Sequence, residues 1–167
     1  MRYFIGLGAN LGDPRTSLRA AVEKLAGLGT VCGRSLLYAS EPVGPPQPRY
    51  VNAALCLDSA LAPSELMSRA LEIERALGRD RRQEERWGPR LIDIDLLLAG
   101  AHGELVMREP GLELPHPRLH ERGFALAGVA ELDAGLVHPT TGRTVAALWQ
   151  AAQLAAPRAV IALEERL

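Results

Sequence analysis

The sequence predicts an α+β fold, a ferredoxin-like βαββαβ sandwich with an antiparallel sheet and extra C-terminal elements. Three observations predict it. Apolar runs of strand length and stretches of helical spacing succeed one another as strand, helix, strand, strand, helix, strand. Prolines fall between these runs or at helix starts, where a missing N–H costs least. The segment Ile92-Asp93-Ile94-Asp95-Leu96 alternates apolar and acidic residues with the period of two of a strand, one face for the core and the other for a cleft.

Each element has a local reason. Residues 2–8 read as a first strand. Asp13-Pro14 supplies an N-cap and a proline at the first helical position; Leu18, Val22, Leu25 and Leu28 then recur at helical spacing, with Gly29 as the expected stop. Residues 31–39 read as a second strand. Residues 40–49 hold four prolines and one glycine, which leaves a loop with a stiffened backbone. Tyr50 to Leu57 reads as a third strand. Pro63-Ser64-Glu65 opens a second helix with Leu66, Met67, Ala70, Ile73 and Leu77 on one face and Gly78 at its end. An arginine-rich loop, 79–90, leads into the acidic strand from Leu91 to Leu98. Beyond it the patterns predict a short strand at 104–107 and helices at 120–131 and 144–152. No repeat or linker divides the 167 residues, so one domain spanning 1–167 is expected.

Composition excludes several classes of function. With 47% hydrophobic and 23% charged residues and a net charge of −1, the chain lacks the positive excess of general nucleic-acid or membrane-surface binders. Lys24 is the only lysine and stands in neither a P-loop nor a protein-kinase setting, which excludes both designs. Cys32 and Cys56 form no CxxC pair and read as two buried thiols of a reducing compartment. The N-terminus turns glycine-rich too early for a signal peptide, and no apolar run approaches the roughly 18–20 residues of a membrane span. A cytoplasmic protein without nucleic-acid or membrane partners is expected, working as a monomer.

The candidate chemistry clusters around the acidic strand. Asp93 and Asp95 point to one face, an arrangement that asks for water or a cation; alone, such a pair is common on solvated edge strands. Just upstream stand Arg79, Arg81, Arg82, Arg86 and Arg90, diluted by Asp80, Glu84 and Glu85, with Trp87-Gly88-Pro89 among them. A hard-metal site beside dense positive charge suits a polyphosphate carried by magnesium. A long Arg-rich loop holding a tryptophan is also a candidate lid. His116 sits on a turn pinned by Pro115 and Pro117, followed by Arg118, His120 and Arg122, a second cationic cluster able to grip phosphate. Zinc does not fit, because the histidines lack a companion set with cysteines. Gly6-x-Gly8-x-x-x-Gly12 has the wrong spacing for a dinucleotide fingerprint, although its glycines permit close approach by a flat ligand. Tyr50 and Asn52, two apart on one strand, join an aromatic ring to an amide in a way that suits a planar heterocycle, with Phe124 as a further aromatic.

Together these residues resemble the 6-hydroxymethyl-7,8-dihydropterin pyrophosphokinase family of folate biosynthesis. The resemblance rests on Gly6-Leu7-Gly8-Ala9-Asn10-Leu11-Gly12-Asp13, Ser40-Glu41-Pro42 with Tyr50-Val51-Asn52-Ala53, Ile73-Glu74 with Gly78-Arg79, Arg86-Trp87-Gly88-Pro89-Arg90 with Asp93-Ile94-Asp95, and Pro115-His116-Pro117-Arg118 with Arg122-Gly123-Phe124. It covers about residues 3 to 140, in five blocks in the family's order. It implies transfer of the β,γ-diphosphate of ATP to the hydroxymethyl group of the dihydropterin, leaving AMP. It also implies two magnesium ions on Asp93 and Asp95, and phosphate contacts from Arg79, on a mobile loop, and Arg90. Nucleotide contacts follow at Glu74, His116 and Arg122, and pterin contacts at Ser40, Val43, Tyr50, Asn52, Trp87 and Phe124. The proline loop is one residue shorter than the family form and the basic loop one longer, with Pro117 and Leu71 where some members have tyrosine and glutamine.

Two other readings are weaker. A nucleotide-sugar transferase with an Asp-x-Asp metal clamp needs a Rossmann-like donor domain, for which the chain is too short and wrongly ordered. A ferredoxin-like RNA-binding module needs strand aromatics and a basic face, against 4% aromatic residues here.

Overall fold

The computed structural model describes residues 1–81 and 87–167. It begins with the inner strand β1 (Arg2–Ala9), apolar on both sides because both sides are covered. Tyr3, Ile5, Leu7 and Ala9 enter one core cluster and Phe4 the other. Helix α1 (Pro14–Ala26) follows, with the Asp13 carboxylate accepting from the Arg15 and Thr16 N–H groups at 3.1 and 3.3 Å, so the expected cap forms. The helix stops at Gly27 rather than Gly29; Leu28 N–H donates to Leu25 O at 2.9 Å and tightens the last turn two residues early.

The single strand expected at 31–39 is two, β2 (Thr30–Arg34) and β3 (Leu36–Ser40), both antiparallel to β4 (Tyr50–Asp58). The break is Ser35, fully buried, whose hydroxyl accepts from Ala54 N–H at 2.8 Å and donates to Leu36 O at 2.7 Å. A side-chain oxygen thus takes the place of a ladder carbonyl, and the strand bends without leaving a buried donor unpaired. Helix α2 (Pro63–Ala76) buries Leu66, Ala70 and Ile73 as its periodicity requires, and also Glu74. Strand β5 (Asp93–Ala99) pairs antiparallel with β1, its Ile94 and Leu96 in the core with Ile92 while Asp93 and Asp95 stay half-buried on the other face.

The short strand expected at 104–107 lies later, as the hairpin β6 (Met107–Glu109) and β7 (Leu112–Leu114). A 3₁₀ turn (Leu119–Glu121) leads into α3 (Gly123–Leu132), then α4 (Val145–Ala155), where Thr144 caps by accepting from Ala147 N–H at 3.1 Å. Strand β8 (Val160–Arg166), which no sequence signal announces, pairs antiparallel with β3. The sheet order is β5-β1-β4-β3-β8, with β2 also on β4. Helices α1 and α2 pack with the cluster around Tyr3 and Ile5; α3 and α4 pack with the cluster around Phe4, Ala54 and Leu97. The result is a mixed α and β fold with an antiparallel sheet and four α-helices among the described residues. Cys56 is buried, and burial pushes its thiol up to about 11; Cys32 is exposed, so the expectation of two buried thiols holds for one. Among the described residues no helix is long and apolar enough to cross a membrane.

Candidate active site

The sheet and the α3–α4 layer leave a cleft of about 520 Å³. Gly6 and Gly8 of β1 form part of its floor, and a Cβ added at Gly8 would sit 3.1 Å from Asn52 Oδ1. Glycine there leaves the Asn52 carboxamide its place.

One end of the cleft is aromatic. Tyr50 and Asn52 reach it from β4, Ser40 from the end of β3, Val43 from the proline loop, Phe124 from the start of α3, and Trp87 from the rim. Asn52 is 2% exposed; its Nδ2 donates to Ser40 Oγ at 2.9 Å and to Tyr38 O at 3.3 Å. Tyr50 Oη donates to Gly88 O at 3.1 Å. The Arg118 guanidinium lies over the Trp87 ring, 4.6 Å from its centroid.

The other end is charged. Asp93 is held by Arg90 on one oxygen and by Arg79 on the other. Arg122 Nη1 donates to Asp95 Oδ2 at 2.6 Å. Burial alone would raise the Asp93 carboxyl, but the Arg90 and Arg79 charges outweigh it and hold it below the usual carboxylate range. The two neighbouring acids expected to want water or a metal therefore have guanidinium partners already. Arg118 N–H donates to His116 Nδ1 at 3.1 Å, which assigns the proton to Nε2, 3.9 Å from Asp95 Oδ2. Burial lowers the His116 pKa, opposed by Asp95, so the imidazole is neutral at neutral pH.

Three expected contacts stand elsewhere. Glu74 does not line the cleft: it is 1% exposed, accepts from Ile94 N–H at 2.8 Å and pairs with Arg79 and Arg81, each at 2.7 Å. Burial pushes its carboxyl up against the pull of those donors. Arg79, implied to ride on a mobile loop, is instead buried between Glu74 and Asp93, because the chain turns inward after α2 and two carboxylates meet its guanidinium there. His116 lines a separate, smaller cavity behind Asp95. The structure brings the other expected residues together in the cleft: Ser40, Val43, Tyr50, Asn52, Trp87, Arg90, Asp93, Asp95, Arg122 and Phe124. Arg82, Glu84, Glu85 and Arg86 of the basic loop lie outside the described residues.

Sequence reasoning missed two groups. Trp149, Ala152, Ala156 and Val160 line the aromatic end from a region with no recognised motif. Asn10 and Gln47 tie the walls together by hydrogen bonds; Asn10 lay inside a quoted block, but nothing in a linear string assigns its partners.

The pattern of a 7,8-dihydro-6-hydroxymethylpterin-pyrophosphokinase (HPPK) matches residues 4–134. The chain belongs to the HPPK family. A pyrophosphokinase of this family from Synechocystis is 37% identical over 145 residues, 84% of this chain and 71% of that one. One from Methylorubrum extorquens is 42% identical over 139 residues, 81% of this chain and 85% of that one. A solved structure of Plasmodium falciparum HPPK-DHPS shares the fold, with a TM-score of 0.72 at 12% identity over 99% of this chain. This chain spans 48% of that longer protein. Among the described residues no three His, Cys, Asp or Glu converge as a metal cage. The donor set is two carboxylates beside arginines, which fits magnesium shared with phosphate oxygens and water, as HPPK enzymes with ATP require.

Proposed function

We propose that the cleft holds its two substrates end to end: the dihydropterin against Ser40, Val43, Tyr50, Asn52, Trp87 and Phe124, and the triphosphate of ATP against Arg90, Asp93, Asp95 and Arg122. The reaction is transfer of the pyrophosphoryl group of ATP to the hydroxymethyl group of 6-hydroxymethyl-7,8-dihydropterin, in folate biosynthesis. One observation carries the placement: a single cleft joins an aromatic end with a buried amide to an end with two carboxylates and their arginines.

Tyr50 and Phe124 supply ring faces for a flat bicycle, and Asn52 with Ser40 supplies polar atoms for its edge where water does not compete. Arg90 and Arg122 neutralise charge gathering on phosphoryl oxygens as the bond to the α-phosphate breaks. His116, with its proton on Nε2 facing Asp95 Oδ2 at 3.9 Å, acts on the charged end through that carboxylate. Arg79 and Glu74 act from behind, Glu74 fixing Arg79 and Arg79 fixing Asp93. Asp93 and Asp95 would hold magnesium, two ions in this reading, which would supply charge screening for the triphosphate and a lower pKa for the attacking hydroxyl. The protein's main task is alignment of the hydroxymethyl oxygen with the β-phosphorus.

The order β5-β1-β4-β3 supports the ferredoxin-like arrangement, with β8, α3 and α4 as additions. We read residues 1–167 as one domain, the working form as a monomer, the compartment as cytoplasmic and Trp87 as the residue that closes over the pterin. The test is release of AMP from ATP and magnesium with and without the hydroxymethyl dihydropterin. AMP release that depends on the pterin is expected; none, or release indifferent to the pterin, would refute the assignment.

A further inference from the structure

Two segments of the cleft wall, the proline loop 41–49 and residues 87–90, are far apart in the chain and bound to each other. A Cβ added at Gly44, where φ is +110°, would meet Trp87 Cβ at 2.7 Å, so the two backbones pack directly. Gln47 Nε2 donates to Trp87 O at 2.7 Å and Tyr50 Oη to Gly88 O at 3.1 Å. Asn10, 4% exposed at the end of β1, joins the rest. Its Nδ2 donates to Gln47 Oε1 and to Pro48 O, both at 2.9 Å. Its Oδ1 accepts from Arg90 N–H at 2.7 Å, and its own N–H donates to Arg90 O at 2.9 Å. Both peptide groups of Arg90 are thus fixed by one asparagine, whose amide is fixed in turn by Gln47. Neither Asn10 nor Gln47 lines the cleft. Their bonds run from a loop that carries Val43 and leads into Tyr50, at the aromatic end, to a segment that carries Trp87 and Arg90.

We propose that Asn10 and Gln47 are positioning residues that make these segments one mechanical unit, so that filling the aromatic end sets Arg90 for the triphosphate. This rests on the assignment of the two ends made above. An amide is required at Gln47 because it accepts from Asn10 on one atom and donates to Trp87 O on the other. A carboxylate keeps the first bond and loses the second.

The test is calorimetric. The affinity of a non-hydrolysable ATP analogue with magnesium is measured with and without the hydroxymethyl dihydropterin, in wild type, Gln47→Ala and Gln47→Glu. Wild type is expected to bind the nucleotide more tightly with pterin present, by at least about fivefold, the lower range of measured couplings. Both variants should bring that factor close to one while changing pterin affinity alone by less than about twofold. Hydrogen exchange at the Arg90 amide, faster in Gln47→Ala and close to wild type in Gln47→Glu, which keeps the bond to Asn10, is the structural counterpart, and Gln47→Glu covers the case of a poorly folding Gln47→Ala. A coupling factor preserved in Gln47→Glu would overturn the proposal, as would a wild type that binds both ligands without coupling. A wild type that binds neither ligand would instead overturn the assignment of the cleft.

Discussion

The polar groups that β4 presents at the aromatic end of the cleft are neutral and satisfied by fixed partners: Asn52 by Ser40 and the Tyr38 carbonyl, Tyr50 by the Gly88 carbonyl. At the other end the polar groups are charged and satisfied by one another: Asp93 by Arg90 and Arg79, Asp95 by Arg122. A neutral hydrogen-bonded amide holds its shape whether or not a ligand is present. A carboxylate paired with a guanidinium is stable only until a better cation and a better anion arrive together. The first end is therefore built to recognise a shape, and the second to exchange partners, with Glu74 and Arg79 as the fixed part beneath it.

The sharpest way to break this comparison is to remove its buried anchor. Among the described residues Arg79→Ala leaves buried Glu74 with only the more exposed Arg81 as a cationic partner, and unfolding in urea should show a loss of about 3–5 kcal/mol. A stability equal to wild type would mean that the charged end needs no fixed layer. Asp95→Ala should retain most of the stability and lower turnover by at least about 10²-fold, the scale of losing an electrostatic stabiliser; near-normal AMP release at saturating magnesium would remove Asp95 from the metal. Asn52→Ala should raise the KM for the dihydropterin by about tenfold, the cost of one buried polar pairing, and leave the KM for ATP nearly unchanged. Equal changes in both constants would show that the ends are not separate. The smallest effect belongs to pH. Burial, then the nearby His120, lowers the His138 pKa below its ordinary 6.5. Below that value the unfolded chain binds a proton that the folded chain refuses, so stability falls as pH drops through this window. The fall stays under about 1.4 kcal/mol per pH unit for this one group, and His138→Phe should flatten it in urea titrations at two pH values.

How much of this was legible in the chain varies with the range of the interaction. Asp13-Pro14 capping α1 and the alternation that turns Asp93 and Asp95 away from Ile94 are local, and both could be read directly. Ser35 was not legible as a strand break, since its hydroxyl acts on Ala54, nineteen residues away. Strand β8 was missed because an edge strand that is only partly buried has little apolar alternation to show. Glu74, a nucleotide contact by the family resemblance, is instead buried behind the cleft; only the fold brings Arg79, Arg81 and Ile94 N–H around it. The same holds for Gln47, one polar residue in a proline-rich loop, whose partners come from two other segments.

One wall of the aromatic end has a practical meaning. Trp149, Ala152, Ala156 and Val160 line the cleft beside Phe124, yet they lie beyond residue 134, where the family pattern ends. A flat ligand confined to Tyr50, Asn52 and Phe124 would leave that wall bare. One extended past Phe124 onto that indole and those methyl groups would bury further apolar surface and gain affinity there.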